Sequence, residues 1–212
     1  MNRKVYYSFH DIPFTSYDYS YKKPELKFGR EEIKELLISI AILSFAFSIA
    51  QSYPNYSEFI IFLPVSFLAV ITAFACHEIS HKYAGIKYGY WSEYRMFSAG
   101  LLFALLLSFA GFIFAAPGAV HIFGMPSREE NGKISLAGPM ANMAMTSIFL
   151  PLSNLGFAQS IFSSIAVINA FLAFFNLLPF GPLDGRKIMK WNFGVWLIAI
   201  VVSVLLMFFS FI

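Results

Sequence analysis

The sequence predicts an all-α polytopic membrane protein, with about five to six transmembrane helices and a small membrane-dipping β or re-entrant region. Three observations predict it. The 212-residue chain is 58% hydrophobic and only 13% charged, with a mean hydropathy of +0.66, whereas a soluble domain is about half apolar and about a quarter charged. Its apolar residues fall into runs near 33–51, 58–81, 97–116, 134–152, 160–180 and 192–212. Most runs reach the ~20 residues of a spanning helix, and none alternates with the two-residue period of a barrel strand.

Residues 1–32 form a cytoplasmic aromatic and basic segment, in which Tyr6, Tyr7, Phe9, Phe14, Tyr17, Tyr19 and Tyr21 stand among Arg3, Lys4, Lys22, Lys23, Lys27 and Arg30. Amphipathic aromatics and basic side chains suit the headgroup layer. With no short apolar core near Met1, a cleaved leader is not expected, and the first apolar run is read as a retained anchor. Residues 33–212 are read as a single transmembrane domain with a metal core at 58–190. The net charge of +3 is small and spread over loops, which excludes nucleic-acid binding as a natural reading. Cys76 is the one cysteine, so intrachain disulfides and thiolate zinc clusters are excluded.

The charges also constrain topology. The gaps 51–57 and 153–159 carry no Lys or Arg, whereas Lys82, Lys87, Arg95, Arg128, Lys133, Arg186, Lys187 and Lys190 flank the other runs. If 97–116 dips into the membrane and returns, every basic loop becomes cytoplasmic and both charge-free gaps external, as the positive-inside rule requires. The run is therefore predicted to be re-entrant, or buried against the other helices.

The chemistry is concentrated at His77-Glu78-Ile79-Ser80-His81, at the end of the second run. On a helix, positions i and i+4 share a face, so both imidazoles can reach one ion. Glu78 stands beside them as a general base for water, whose pKa a bound cation brings to about 7. Ionisable side chains at membrane depth are costly and mark function. A catalytic site needs a third protein ligand and an open position. Asp184 is the best candidate, in Asn176-Leu177-Leu178-Pro179-Phe180-Gly181-Pro182-Leu183-Asp184-Gly185, where the prolines stop a helix and the glycines permit a tight turn. Two crossings, by 134–152 and 160–180, return Asp184 to the side of the histidines; three would not. Metal closure thus independently keeps 97–116 from crossing. Two imidazoles and a carboxylate suit several divalent ions.

These two motifs, in this order, resemble the site-2 protease family of intramembrane zinc metalloproteases. Ala137-Gly138-Pro139-Met140-Ala141-Asn142 is similar to that family's central-helix signature, and Pro117-Gly118-Ala119-Val120 to its membrane-dipping strand, closest to the archaeal type without PDZ or CBS domains. The resemblance implies one Zn²⁺ per chain held by His77, His81 and Asp184, with Glu78 as base, Asn176 positioning the substrate or its carbonyl, and transmembrane proteins as substrates in regulated intramembrane proteolysis.

Neighbouring residues are read against plainer roles. Asn176 could serve an oxyanion or an interhelical hydrogen bond. Asn142 is read first as a helix-to-helix contact and stands also among the substrate-binding candidates. Pro117 and Gly118 open a short segment that could offer a strand edge to an unwound substrate, or be a plain loop. His121 and His10 are read as interface residues and Cys76 as a small buried hydrophobe. The expected partners are transmembrane protein substrates and the lipid bilayer of the cell membrane, with no nucleic acid and with the N-terminus and active-site opening cytoplasmic. The rival readings are a membrane metal-binding scaffold or transporter, and a membrane zinc hydrolase of soluble peptides.

Overall fold

The computed structural model describes residues 24–113, 116–156 and 158–211. Tyr6 to Tyr21 of the aromatic segment, and His10, lie outside the described residues. Seven helices and one two-stranded sheet run in the order α1 (Arg30–Gln51), α2 (Tyr56–Lys87), β1 (Trp91–Met96), α3 (Ser98–Ser108), β2 (Gly118–Phe123), α4 (Arg128–Leu152), α5 (Gln159–Asn176), α6 (Asp184–Trp191) and α7 (Phe193–Ser210) among the described residues.

Four of them, α1, α2, α5 and α7, are long and apolar enough to cross a membrane. At 25 residues α4 is long enough too, but Glu129, Glu130 and Lys133 crowd its start, and Asn142, Thr146, Pro139 and Pro151 dilute the rest. The polar pair in its middle faces inward: Asn142 and Thr146 are fully buried. A helix enclosed by others is released from the apolarity that lipid contact imposes. Ser127 starts α4 with a capping box, accepting from Glu130 N at 3.2 Å while Glu130 Oε2 accepts from Ser127 N at 2.8 Å.

The run 97–116 does not cross. Its helix α3 has 11 residues, about 16 Å at 1.5 Å per residue, roughly half the hydrocarbon thickness. The chain leaves β1 and returns to β2, and the two strands pair antiparallel from Trp91↔Phe123 to Met96↔Gly118. Phe97 N donates to Pro117 O at 2.8 Å, closing the neck of the excursion. The segment read as an edge strand is thus a strand; its partner β1 was not foreseen.

Two apolar clusters divide the interior. Ile40, Leu43, Val70, Phe74, Tyr94 and Leu101 join α1, α2, β1 and α3. Met143, Ala173, Leu177, Ile188 and Ala199 join α4, α5, α6 and α7. The clusters meet where α2 packs on α4, and that interface carries the polar site.

One basic residue departs from its sequence reading. Lys82, counted among the loop charges, is 1% exposed, and so is Glu32 of α1. The Lys82 Nζ donates to Glu32 Oε1 and Oε2 at 2.7 and 2.6 Å, and lies 4.4 Å from the Phe28 ring centroid. The pair is neutral overall, so Lys82 carries no weight in the positive-inside count. Glu32 Oε1 also accepts from Tyr94 N at 3.0 Å, and Glu35 Oε2 from Met96 N at 2.9 Å. Two carboxylates of α1 therefore close the outer edge of β1. Tyr94 donates to Pro117 O at 2.9 Å, and burial pushes its hydroxyl above the ordinary phenol range, which keeps it protonated.

Removing one partner of a buried ion pair strands the other charge. Lys82→Met is expected to destabilise the fold by about 3–5 kcal/mol, and the Glu32→Gln/Lys82→Met double variant to recover most of that loss. Thermal unfolding of the purified variants in detergent, followed by circular dichroism, measures both.

Candidate metal centre

The metal-motif helix is not regular. Residues Ile71–Ala75 form a π-helical turn inside α2, immediately before Cys76 and His77. A π-turn inserts a residue, rotates the rest of the helix about its axis, and leaves carbonyls without their i+4 partner. The Ala73 carbonyl accepts from Asn142 Nδ2 of α4 at 2.7 Å. Asn142 Nδ2 also donates to Asn169 Oδ1 of α5 at 3.0 Å, and Asn169 Nδ2 donates to Thr72 Oγ1 within the π-turn at 3.1 Å. The distortion is thus held by side chains from two neighbouring helices.

With both hydrogens of its amide so used, Asn142 has only an acceptor left, and its Oδ1 takes the Nδ1–H of His77 at 2.5 Å. His81 Nδ1 donates to the Ile134 carbonyl of α4 at 2.8 Å. Both imidazoles therefore carry their proton on Nδ1 and present the Nε2 lone pair inward, the tautomer a metal needs. The Nε2 atoms lie 3.0 Å apart. Asp184 Oδ2 lies 3.0 Å from the Nε2 of His81 and 3.4 Å from that of His77.

Local backbone brings Asp184 there. Helix α5 ends at Asn176, Gly181 takes a φ of +60°, and the chain restarts at Asp184 as the first residue of α6. A positive φ is what glycine supplies at that corner. Gly185 lets the new helix close on Leu177, whose carbonyl an added Cβ would strike. The unwinding expected at Pro179 and Pro182 is what turns Asp184 toward the histidines.

The donor set fits a zinc ion. Four tetrahedral ligands at about 2.0–2.1 Å stand about 3.3–3.4 Å apart, close to the 3.0–3.4 Å observed. All three residues are buried, and among the described residues they form the one group of His, Cys, Asp or Glu able to hold a metal. The space between them is cradled: a Cβ at Gly138 would lie 2.6 Å from His77 Nε2 and would also strike His81 Nε2.

Glu78 stands on the next position of α2, with its Oε2 accepting from Val120 N of β2 at 3.0 Å. It shares a cavity of about 400 Å³ with His77, His81, Asp184, Pro117, Gly118 and Asn176. Asn176 reaches this cavity while its Nδ2 donates to Leu172 O at 3.0 Å. Asn142 does not line the cavity. Its polar atoms are engaged by His77, the π-turn and Asn169, the helix-to-helix contact that its plainer reading expects. His121 sits on the exposed face of β2, opposite Glu93, and is no ligand. Cys76 is half-buried and stands outside the ligand group.

Gly138, Asn169 and Ile134 were missed as contributors. For Gly138 a signal was present, since glycine in a helix interior costs about 1 kcal/mol relative to alanine and so marks a close approach. Asn169 offered the same kind of signal, an amide in an apolar run.

Comparison with curated proteins finds relatives along most of the chain. It is 41% identical over 178 residues to a Methanocaldococcus jannaschii protein named "Putative zinc metalloprotease", covering 81% of this chain and 90% of that protein. A Bacillus subtilis protein of the same printed name is 28% identical over 60% of this chain and 68% of its own length. A second M. jannaschii protein, named "Zinc metalloprotease", is 26% identical over 61% of this chain and 34% of its own length. No family model matches the chain, and no solved structure does.

The geometry sets two expectations. Asn142→Ala frees His77 to rotate and is expected to weaken zinc binding by about 10–100-fold, read by competition with a chelating dye. Gly138→Ala drives a methyl group between the imidazoles and is expected to remove bound zinc from the purified protein, read by elemental analysis, while the helical content stays as it was.

Proposed function

We propose that this chain, which belongs to the zinc metalloprotease family of these relatives, cuts transmembrane proteins inside the bilayer in the manner of the site-2 proteases it resembles. It is a membrane protein and a zinc metalloprotease; the intramembrane substrate is the step beyond that. The observation that carries this step is the placement of the His77-Glu78-x-x-His81 face on a 32-residue apolar helix, walled by other helices long enough to span. A site for soluble substrates has no need of that depth.

Zinc held by His77, His81 and Asp184 supplies Lewis-acid chemistry, acidifying water and polarising a carbonyl. Glu78, aimed by the Val120 N–H, takes a proton from water in the cavity and passes it to the leaving amine. The Asn176 amide has two N–H donors. One is held by Leu172 O, and the other is assigned to the oxyanion that forms on the substrate carbonyl. Pro117 and Gly118 begin the strand whose far edge borders the cavity. With the outer edge of β1 closed by Glu32 and Glu35, an unwound substrate is assigned to β2, pairing main chain to main chain.

The orientation is argued from charge. The C-terminal end of α2, the sheet, the start of α4 and α6 gather at one end, because His81 bonds to Ile134 and Asp184 meets His81. Lys87, Arg95, Arg128, Lys133, Arg186, Lys187 and Lys190 lie on these elements or their joins, so that end, with the N-terminus, is assigned to the cytoplasm. Asn131 and Lys187 line the cavity there and offer water a polar way in. Residues 33–212 are assigned to one catalytic domain and 1–32 to the cytoplasmic membrane surface.

The test uses the purified full chain and a reporter protein carrying one transmembrane helix. Glu78→Gln is expected to keep its zinc and to lose about 10²–10⁴-fold in cleavage rate. The same reporter sequence offered as a soluble peptide is expected to be cut far more slowly. Equal cutting of soluble and membrane-spanning forms would overturn the intramembrane reading and leave the metalloprotease assignment standing.

A further inference from the structure

Asp184 has two carboxylate oxygens, and the structure divides them. Oδ2 faces both imidazole Nε2 atoms at 3.0 and 3.4 Å. Oδ1 turns the other way and lies 3.4 Å from Lys187 Nζ, three residues on in α6. Positions i and i+3 share a helix face, so the restart of the helix at Asp184 itself places this ammonium. Its neighbour Arg186 is directed elsewhere, onto Gly181 O at 3.4 Å. The Lys187 side chain is 42% exposed and lines the cavity, whereas that of Asp184 is 8% exposed, so the contact runs from the buried centre to the cavity wall.

We propose that Lys187 is a positioning residue: by engaging Asp184 Oδ1 it keeps the carboxylate a single-oxygen ligand and keeps the metal's open coordination position free for reaction. This rests on the metal reading of the His77, His81 and Asp184 group. Carboxylates bind metals through one oxygen or both, and a catalytic zinc requires three protein ligands with a position left open. Gly138 guards one side of the triad, where any side chain would collide with the histidines. Beside Oδ1 stands a flexible ammonium, that of Lys187. Loss of that ammonium would let Oδ1 join Oδ2 as an added ligand, raising the coordination number and crowding the position that a substrate carbonyl must take. Metal would still be held, but turnover would fall.

The experiment compares wild type, Lys187→Met, Lys187→Gln and Lys187→Arg, each loaded with Co²⁺ in place of zinc, by visible absorption and by metal affinity, alongside cleavage kinetics. Cobalt absorbs strongly when four-coordinate and weakly when five- or six-coordinate, so the spectrum reads the ligand number without reference to turnover. The expected result is that Lys187→Met and Lys187→Gln weaken the visible bands, bind cobalt at least as tightly as wild type, and lose about tenfold or more in kcat with KM little changed. Lys187→Arg restores both bands and kcat. The exposed position makes these variants fold, and a thermal melt checks each one. Wild-type spectra in Lys187→Met and Lys187→Gln would overturn the proposal whatever their activity, and would leave the metal centre intact as a reading. A wild-type chain that takes up no cobalt or zinc would overturn both together.

Discussion

Polar atoms enclosed by apolar helices must each find a partner, and here that requirement organises the molecule. An imidazole offers a metal its Nε2 lone pair only when Nδ1 gives its proton to something else. In this chain the acceptors are Asn142 Oδ1 and the Ile134 carbonyl, both on α4. That single need fixes which helix lies against the metal-motif helix, at what height, and with which face. Asn142 can accept from His77 only because its amide hydrogens are taken by Ala73 O and Asn169. Ala73 O is free to accept because α2 makes a π-turn there. Tautomer, backbone irregularity and helix packing are one linked arrangement, and a change in one member reaches the metal site through the others.

Around this polar seam the forces are ordinary. The two apolar clusters pack α1, α2 and α3 on one side and α4 to α7 on the other. Within lipid the gain from apolar burial is small, so close packing and interhelical hydrogen bonds carry the association. Small residues allow that approach, as Ala46, Ala69, Ala104, Ala166 and Ala170 do, all fully buried. The Glu32–Lys82 pair adds specificity, since it ties α1 to the metal-motif helix and to β1 at once. Such a pair fixes register more than it adds stability.

Much of this was legible because the chemistry is local. His77, Glu78 and His81 lie within one helical turn and a half, and their spacing alone puts them on one face. Asp184 could be named because Pro179, Gly181, Pro182 and Gly185 announce a broken helix. The non-crossing of 97–116 could be read because loop charge and metal closure demanded the same parity. What could not be read depends on partners far apart in the chain. Nothing in Lys82 tells that Glu32 will meet it, so it passed as a loop charge. Nothing in Trp91–Met96 alone marks it as the partner of β2. The π-turn has no proline or glycine at its centre, and arises where tertiary hydrogen bonds hold it.

The site that emerges is a buried His-His-Asp centre with a carboxylate at its side, set in a membrane-type helical body and open to a cavity bordered by strand β2. The most direct measurement on it is X-ray absorption at the zinc edge of the purified, unsubstituted chain. This arrangement requires one zinc per chain, with two imidazole nitrogens and one carboxylate oxygen at about 2.0–2.1 Å. A sulfur neighbour at about 2.3 Å, which only Cys76 or a methionine could supply, or a chain that retains no zinc, would contradict it.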